Sequence, residues 1–185
     1  MTTQRYNLAL LPDDAALGAF CTDYAQRHFK VGADGYILDR AGLPHITLCQ
    51  FMAEPGQLPD LWQEAVRHFG RGKIALAFAE LYFRAGRAAH DGHIWAGFGI
   101  LRDSNLVVLQ ASVYALLRLR GLIPMTLTGD AFIPHLTLAR LRADTALPQL
   151  TWPAGDLLTQ LHDFRLSLGM IDANGVYQAR LYPEN

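Results

Sequence analysis

With 185 residues, 51% of them hydrophobic and 18% charged, the chain has ample apolar material for a sizeable core and too much of it for a disordered segment. A net charge of -1 excludes the uniformly basic surface that holds long nucleic acid by counterion release. Two cysteines, Cys21 and Cys49, give neither a disulfide framework nor a zinc-type spacing, and no apolar run reaches membrane-spanning length, so the expectation is an ordered, cytoplasmic protein.

Tyr6 to Leu11 reads as a short strand stopped by Pro12, after which Asp13 and Asp14 offer a helix N-cap. Leu17, Phe20, Cys21, Tyr24 and Phe29 keep helical spacing up to Lys30, before Gly32 and the Asp34-Gly35 turn signal. Tyr36 to Leu38 and Pro44 to Phe51 read as extended. A second helix runs from Pro59 through Trp62 and Phe69 to Gly70, with proline early and glycine after the end. Ile74 to Phe83 and His93 to Ile100 read as two antiparallel strands, because His90-Asp91-Gly92-His93 between them carries a hairpin dipeptide. Asp103 or Ser104 caps a long helix through Leu106, Leu109, Val113, Leu116 and Leu117, ending before Gly121. Phe132 to Leu141 reads as a strand, and Phe164 to Ile171 with Val176 to Tyr182 as a terminal hairpin around Asp172-Ala173-Asn174-Gly175.

Charge is unevenly distributed along the chain. Residues 1 to 69 carry five Lys/Arg against eight Asp/Glu, and residues 70 to 142 carry nine against four, Arg84, Arg87, Arg140 and Arg142 among them. A small anionic ligand near the middle segment fits this bias. Arg118 and Arg120 are read instead as the solvated end of a helix, where cations suit the dipole.

The informative feature is a repeat. Leu43-Pro44-His45-Ile46-Thr47-Leu48-Cys49 matches Ile133-Pro134-His135-Leu136-Thr137-Leu138-Ala139 almost position for position, 90 residues apart (135 minus 45), so two similar halves each contribute one copy. In a strand, His45 and Thr47 share one face and Ile46 and Leu48 the other, and the same holds for His135 and Thr137. Each segment thus has an apolar side for a core and a polar side bearing an imidazole and a hydroxyl, about 6.6 Å apart at a rise of roughly 3.3 Å per residue. A tetrahedral phosphate fits between two such faces: hydroxyls donate to its nonbridging oxygens, and imidazoles, with an ordinary pKa of about 6.5, serve as base and acid on opposite sides. A lone His-x-Thr would be read as a buried strand with one satisfied histidine. Two copies in matching apolar strands reverse that preference.

These residues, Pro44-His45-Ile46-Thr47-Leu48 and Pro134-His135-Leu136-Thr137-Leu138-Ala139-Arg140, resemble the paired His-x-Thr-x signature of the 2H phosphoesterases, the superfamily that includes RNA 2′,3′-cyclic phosphodiesterases, also called 2′-5′ RNA ligases. The resemblance spans essentially the whole chain and implies one bilobal domain over 1–185, of α+β class, in which two pseudo-symmetric lobes with antiparallel sheets line a central cleft and helices pack outside. It implies His45 and His135 as catalytic residues and Thr47 and Thr137 as phosphate-binding residues, with no metal or other cofactor. The substrate it implies is a small nucleotide or RNA end carrying a phosphodiester, most readily a 2′,3′-cyclic phosphate, with reverse ligation possible; no membrane or obligate protein partner is indicated. The pseudo-symmetry leaves the roles of the two histidines open, and His135 is taken as base and His45 as acid.

Further residues are weighed beside that set. Trp95, Phe51 and Phe132 are candidates for base stacking or cleft lining, with core packing as the competing reading for the two phenylalanines. Strict alternation places Arg140 on the face opposite His135 and Thr137 unless a bulge intervenes, which favours rim duty, and places Cys49 on the floor of the cleft beside Thr47. Arg84 and Arg87 are candidates for steering a phosphate. His90 and His93 lack a convincing third ligand for a metal. Two readings of other classes stay open: a 2′,5′-oligonucleotide phosphodiesterase, and a nucleotide- or RNA-end-binding module without turnover.

Overall fold

The computed structural model describes residues 2–87, 90–147, 150, 152–153 and 158–183. Strands β1 (Gln4–Pro12), β2 (Ala33–Ile37), β3 (Ile46–Ala53), β4 (Lys73–Leu76), β5 (Phe78–Ala85), β6 (His93–Ile100), β7 (His135–Arg142), β8 (His162–Ile171) and β9 (Tyr177–Tyr182) form one antiparallel sheet, with helices α1 (Ala15–Phe29), α2 (Leu58–Phe69) and α3 (Ser104–Leu119). This is the α+β architecture expected.

The helices start and stop where the sequence places their caps. Asp14 accepts from the Ala16 N–H at 2.8 Å and Asp103 from the Leu106 N–H at 2.8 Å, each satisfying an orphan donor of the first turn. Gly70, at φ 74°, ends α2 in a conformation that a side chain disfavours. One stripe of each helix is buried: Leu17, Cys21, Tyr24, Ala25 and Phe29 on α1, and Leu106, Gln110, Val113, Leu116 and Leu117 on α3. Among the described residues no helix is long and apolar enough to cross a membrane.

The sheet runs β4-β8-β1-β3-β7-β6-β5, with β9 added to β8 and β2 to β7. Its two halves meet at one residue pair, Ile46 opposite Leu136. Beyond that bridge each motif strand takes a different neighbour: β7 pairs with β2 at Tyr36↔Arg140, and β3 meets the 124–126 segment through Phe51↔Pro124 and the Met125 N–H to Gln50 carbonyl bond of 2.8 Å. The lobes of the sequence reading are therefore two half-sheets of a continuous sheet. They are further interlocked because α1 packs chiefly on β7 and α3 on β3, so the helix of each repeat backs the motif strand of the other.

The extended segment expected over Ile74 to Phe83 divides at Ala77. Its first part, β4, pairs with β8, and its second, β5, pairs with β6, at the opposite end of the strand order. A single residue joins the two edge strands, so the sheet must curve back on itself around the apolar interior. Phe98, fully buried, sits at the centre of that interior, with ring centroids 5.1 Å from Tyr24, 5.6 Å from Phe78 and 6.1 Å from both Phe20 and Trp152. Both expected hairpins form. Asp172 Oδ1 accepts from the Asn174 and Val176 N–H groups in the β8–β9 turn, and the β5–β6 connection, wider than a two-residue turn, has Gly92 at φ 78°.

Gly97 sits where β6 crosses a bulge in β7, and any Cβ built on it collides with the Leu136 carbonyl oxygen, a backbone atom with no rotamer to yield. Gly97→Ala is expected to destabilise the fold by about 1–3 kcal/mol through overpacking, read as a lower denaturation midpoint at unchanged slope. An unchanged midpoint would contradict this packing.

Candidate active site

His45 immediately precedes β3 and His135 opens β7, so the one bridge between the half-sheets lies between the two motifs. Antiparallel continuation of the Ile46↔Leu136 register sets His45 toward Thr137 and Thr47 toward His135 across the seam. His45, Thr47, His135 and Thr137 all line one cavity of about 340 Å³.

The two imidazoles are held identically. His45 Nδ1–H donates to the Leu43 carbonyl at 2.9 Å and His135 Nδ1–H to the Ile133 carbonyl at 2.8 Å. A carbonyl only accepts, so in the neutral ring the proton sits on Nδ1 and Nε2 carries the free lone pair. Each ring also rests on a tyrosine: His135 stacks on Tyr82 at 4.4 Å and 13°, and His45 lies 5.1 Å from Tyr177. Burial disfavours the imidazolium in both. His45, 8% exposed, is pushed down to about 4 by desolvation, partly opposed by its bond to Leu43, with the charge of His135 adding to the fall. Desolvation also lowers His135, and the Arg84 guanidinium adds to it.

The threonines differ in their surroundings. Thr47 Oγ1 accepts from Asn7 Nδ2 at 2.9 Å, whereas the Thr137 hydroxyl has no side-chain partner among the described residues. Arg84 lines the cavity, while Arg87 is exposed and does not. Among the described residues no aspartate or glutamate lines it, and with Arg84 on its wall the cavity favours an anion.

Two bulges correct the alternation argument. The register of β1 on β3 passes from Leu8↔Cys49 to Ala9↔Thr47, skipping Leu48, and that of β6 on β7 passes from Ala96↔Ala139 to Gly97↔Thr137, skipping Leu138. The extra residue stands at the same place in both copies of the repeat. It turns the residue three beyond each threonine back to the cleft side: Gln50 in the first copy and Arg140 in the second. Cys49 is consequently fully buried in the core and not on the cleft floor, and Phe51 is likewise core, away from the cavity. Arg140, expected on the far face, is turned to the side of His135 and Thr137, where it does not itself line the cavity but stands behind the lining residues His90 and Trp95. Its Nε donates to the Asp34 carbonyl at 2.7 Å and its Nη1 to His90 Nδ1 at 3.2 Å, and its guanidinium lies 5.9 Å from the Trp95 ring centre. Gly35, at φ 75°, leaves that guanidinium the space a side chain would fill.

Trp95 lines the cavity, edge-on to His90 at 5.0 Å and 6.3 Å from Tyr36. Phe132 also contributes to the lining, though it is only 3% exposed. His93 turns away to Asp34, its Nε2 at 3.1 Å from Oδ2, so His90 and His93 serve different partners. Sequence reasoning did not single out Asn7, Gln50, Tyr36, Tyr82, Tyr177 or Asn174. For Gln50 a signal existed: both copies read Thr, two apolar residues, then a polar one, a break in alternation at matching positions.

No family model and no curated protein sequence matches the chain. Solved structures do match it in fold. E. coli LigT complexed with 3'-AMP superposes with a TM-score of 0.66 at 18% identity, covering 97% of this chain and 96% of that one. A structure described as a phosphoesterase gives 0.57 at 17% identity, covering 97% and 96%. The MHV ns2 PDE domain gives 0.52 at 16%, covering 90% and 99%. The chain thus has the LigT fold along almost its entire length.

The depressed pKa of His45 makes stability depend on pH. Its folded value of about 4 lies below the ordinary 6.5, so its contribution is fully present above 6.5 and is lost as pH falls toward 4, where the unfolded chain binds the proton more readily. At pH 4.5 the loss from this ring is about 2–3 kcal/mol relative to pH 7.5. His45→Asn, whose amide still reaches the Leu43 carbonyl, is expected to lose about that much less stability than the wild type between the two pH values in denaturant titrations. Equal losses in both proteins would show that His45 is not held neutral by burial.

Proposed function

We propose that the chain is a phosphodiesterase of the 2H phosphoesterase type, hydrolysing a 2′,3′-cyclic phosphate on a nucleotide or at an RNA end by paired-histidine acid–base catalysis without a metal. The observation that carries the proposal is the matched pair of imidazoles: both Nδ1 atoms are tied to backbone carbonyls, both Nε2 atoms remain free for proton transfer, and two threonine hydroxyls share their cavity.

His135, the less buried ring, takes the role of base. It accepts a proton from water as the oxygen attacks phosphorus, while His45 delivers its proton to the departing ribose oxygen. One P–O bond forms as another breaks, and the product is a phosphomonoester. His135 ends protonated and His45 neutral, and exchange with solvent resets the pair. Burial suits His45 to the acid role, because an imidazolium that water does not stabilise gives up its proton readily, and the anionic ester supplies the charge that loads it. Thr47, Thr137 and Arg84 supply donors and positive charge for the nonbridging oxygens.

The size of the site supports a small substrate. A cavity of about 340 Å³ lies at the low end of the range for small-molecule sites, which suits a single nucleotide or an RNA end. Trp95, beside His90 and Tyr36, offers an aromatic surface for a base. The fold is that of LigT, a protein solved with 3'-AMP and, separately, with NADP+.

The test is hydrolysis of a 2′,3′-cyclic mononucleotide and of a cyclic-phosphate-ended oligonucleotide in excess EDTA. Turnover is expected to persist with the chelator and to fall about 10²–10⁴-fold in each of His45→Ala and His135→Ala. Saturable binding without turnover of any phosphodiester would leave a binding module, and turnover confined to a 2′,5′-linked dinucleotide would change the substrate while keeping the chemistry.

The rate of the wild-type enzyme against pH is expected to be bell-shaped, since one ring must be neutral and the other protonated. A single limb rising into the alkaline range would overturn the acid–base pair.

A further inference from the structure

The two halves of the sheet correspond residue by residue, and the correspondence fails at one buried position. Ala9 faces Thr47 and Gly97 faces Thr137, so β1 matches β6 at an offset of 88 (97 minus 9). On that offset Asn7, opposite Gln50, matches Trp95, opposite Arg140. Trp95 lines the cleft. Asn7 is fully buried, donates from Nδ2 to Thr47 Oγ1 at 2.9 Å, and leaves its own Oδ1 buried without a partner.

An orphaned buried amide oxygen costs about 1–3 kcal/mol, and an apolar residue of similar size would avoid that cost in a strand whose neighbours Tyr6, Leu8, Ala9 and Leu10 are all buried and apolar. The amide has a directional use. A threonine hydroxyl has one proton. If a neighbour donates to its oxygen, that proton is free to point elsewhere; if the neighbour accepts, the proton is consumed and lone pairs face the cleft, where they repel an anion. Asn7 takes the first arrangement. Donation into Oγ1 also polarises the O–H, strengthening it as a donor.

We propose that Asn7 is a positioning residue that commits the Thr47 hydroxyl to donate into the cleft, and that Thr47, so backed, is the dominant hydroxyl holding the phosphoryl group, with unbacked Thr137 secondary. The inference rests on the reading of the cavity as a phosphoryl site. Asn7 touches no substrate; it acts through Thr47. The nonbridging oxygen on the Thr47 side is therefore held more firmly than its counterpart on the Thr137 side, giving a pseudo-symmetric cradle a fixed orientation.

The experiment is calorimetric binding of inorganic phosphate, which requires no turnover, to the full chain and to Asn7→Leu, Asn7→Asp, Thr47→Val, Thr137→Val and the double variants Asn7→Leu/Thr47→Val and Asn7→Leu/Thr137→Val. Asn7→Leu removes the orphaned oxygen, so its denaturation midpoint is expected to match or exceed that of the wild type while phosphate affinity falls about tenfold, the range of one charge-assisted hydrogen bond. Asn7→Asp, nearly isosteric but an acceptor, is expected to weaken phosphate binding further. The Asn7→Leu effect is expected to vanish in the Thr47→Val background and to persist in the Thr137→Val background, as coupling through a shared hydroxyl requires.

Phosphate binding that is unchanged in Asn7→Leu, or an Asn7→Leu effect that is equally large with and without the Thr47 hydroxyl, would overturn the proposal. Absence of phosphate binding by the wild type would instead overturn the phosphoryl-site reading beneath it. Should Asn7→Leu fail to fold, Asn7→Ser, whose shorter hydroxyl leaves Thr47 unbacked without inserting bulk, carries the same expected loss of affinity and the same cycle.

Discussion

The cleft depends on a pairing that stops after one step. β3 and β7 meet at Ile46 and Leu136 and nowhere else, because on one side of that bridge the next positions already belong to other partners. Two strands fully laddered along their length would bring their side chains to ordinary cross-strand spacing and leave no room for a ligand between the motifs. A seam with no pairing at all would let the half-sheets drift apart. The single bridge fixes both motifs at their closest approach, and the crossed helices keep it closed, since α1 cannot leave β7, nor α3 leave β3, without opening the apolar interior. The geometry of the seam is thus maintained by packing far from it.

The same seam sets the electrostatics. Both imidazoles sit where water is scarce, and both are tied by Nδ1 to carbonyls two residues back in the chain, a bond the local geometry makes without help from distant residues. The tie aims Nε2 and raises each ring’s proton affinity somewhat, whereas desolvation lowers it by more. The net effect favours the neutral form of both rings. An anionic ligand changes this balance, because a negative charge beside a desolvated imidazole favours its protonated form. In the proposed mechanism the acid's proton would thus be taken up together with the anion that needs it.

Much of this was legible in the sequence because it lies in patterns of period and repetition. The two His-x-Thr copies, the capping aspartates, the glycines after helices and the Asp-Gly and Asn-Gly turns each depend on nearby residues only, and the structure has the corresponding elements. What could not be read depends on pairing. Ile74 to Phe83 looks continuous, and only the choice of β8 and β6 as partners divides it at Ala77. Alternation fails at Leu48 and Leu138 because an extra residue enters each motif strand, exchanging Cys49 for Gln50 and bringing Arg140 beside Trp95 and His90. Asn7 reads as an ordinary polar interruption of a strand. Tyr82 and Tyr177 read as strand aromatics; their contact with the histidines is a matter of which strands become neighbours.

Repetition supplies a symmetric centre, and a symmetric centre alone is poorly matched to the asymmetric reaction proposed for it, in which water enters on one side of phosphorus and a ribose oxygen leaves on the other. The structure breaks the symmetry at the walls and not at the reacting groups. Equivalent positions carry Gln50 and Arg140, or Asn7 and Trp95: Gln50 and Trp95 reach the cavity, Asn7 is buried behind Thr47, and the Arg140 guanidinium stands beside the Trp95 ring. A base of the proposed nucleotide substrate would have reason to choose the Trp95 side, where the indole gives it a face and the Arg140 guanidinium lies near the same ring. In the proposed reaction, a base lodged there would fix the ribose oxygens relative to the two imidazoles, and the side from which the substrate arrives would sort two chemically identical rings into base and acid.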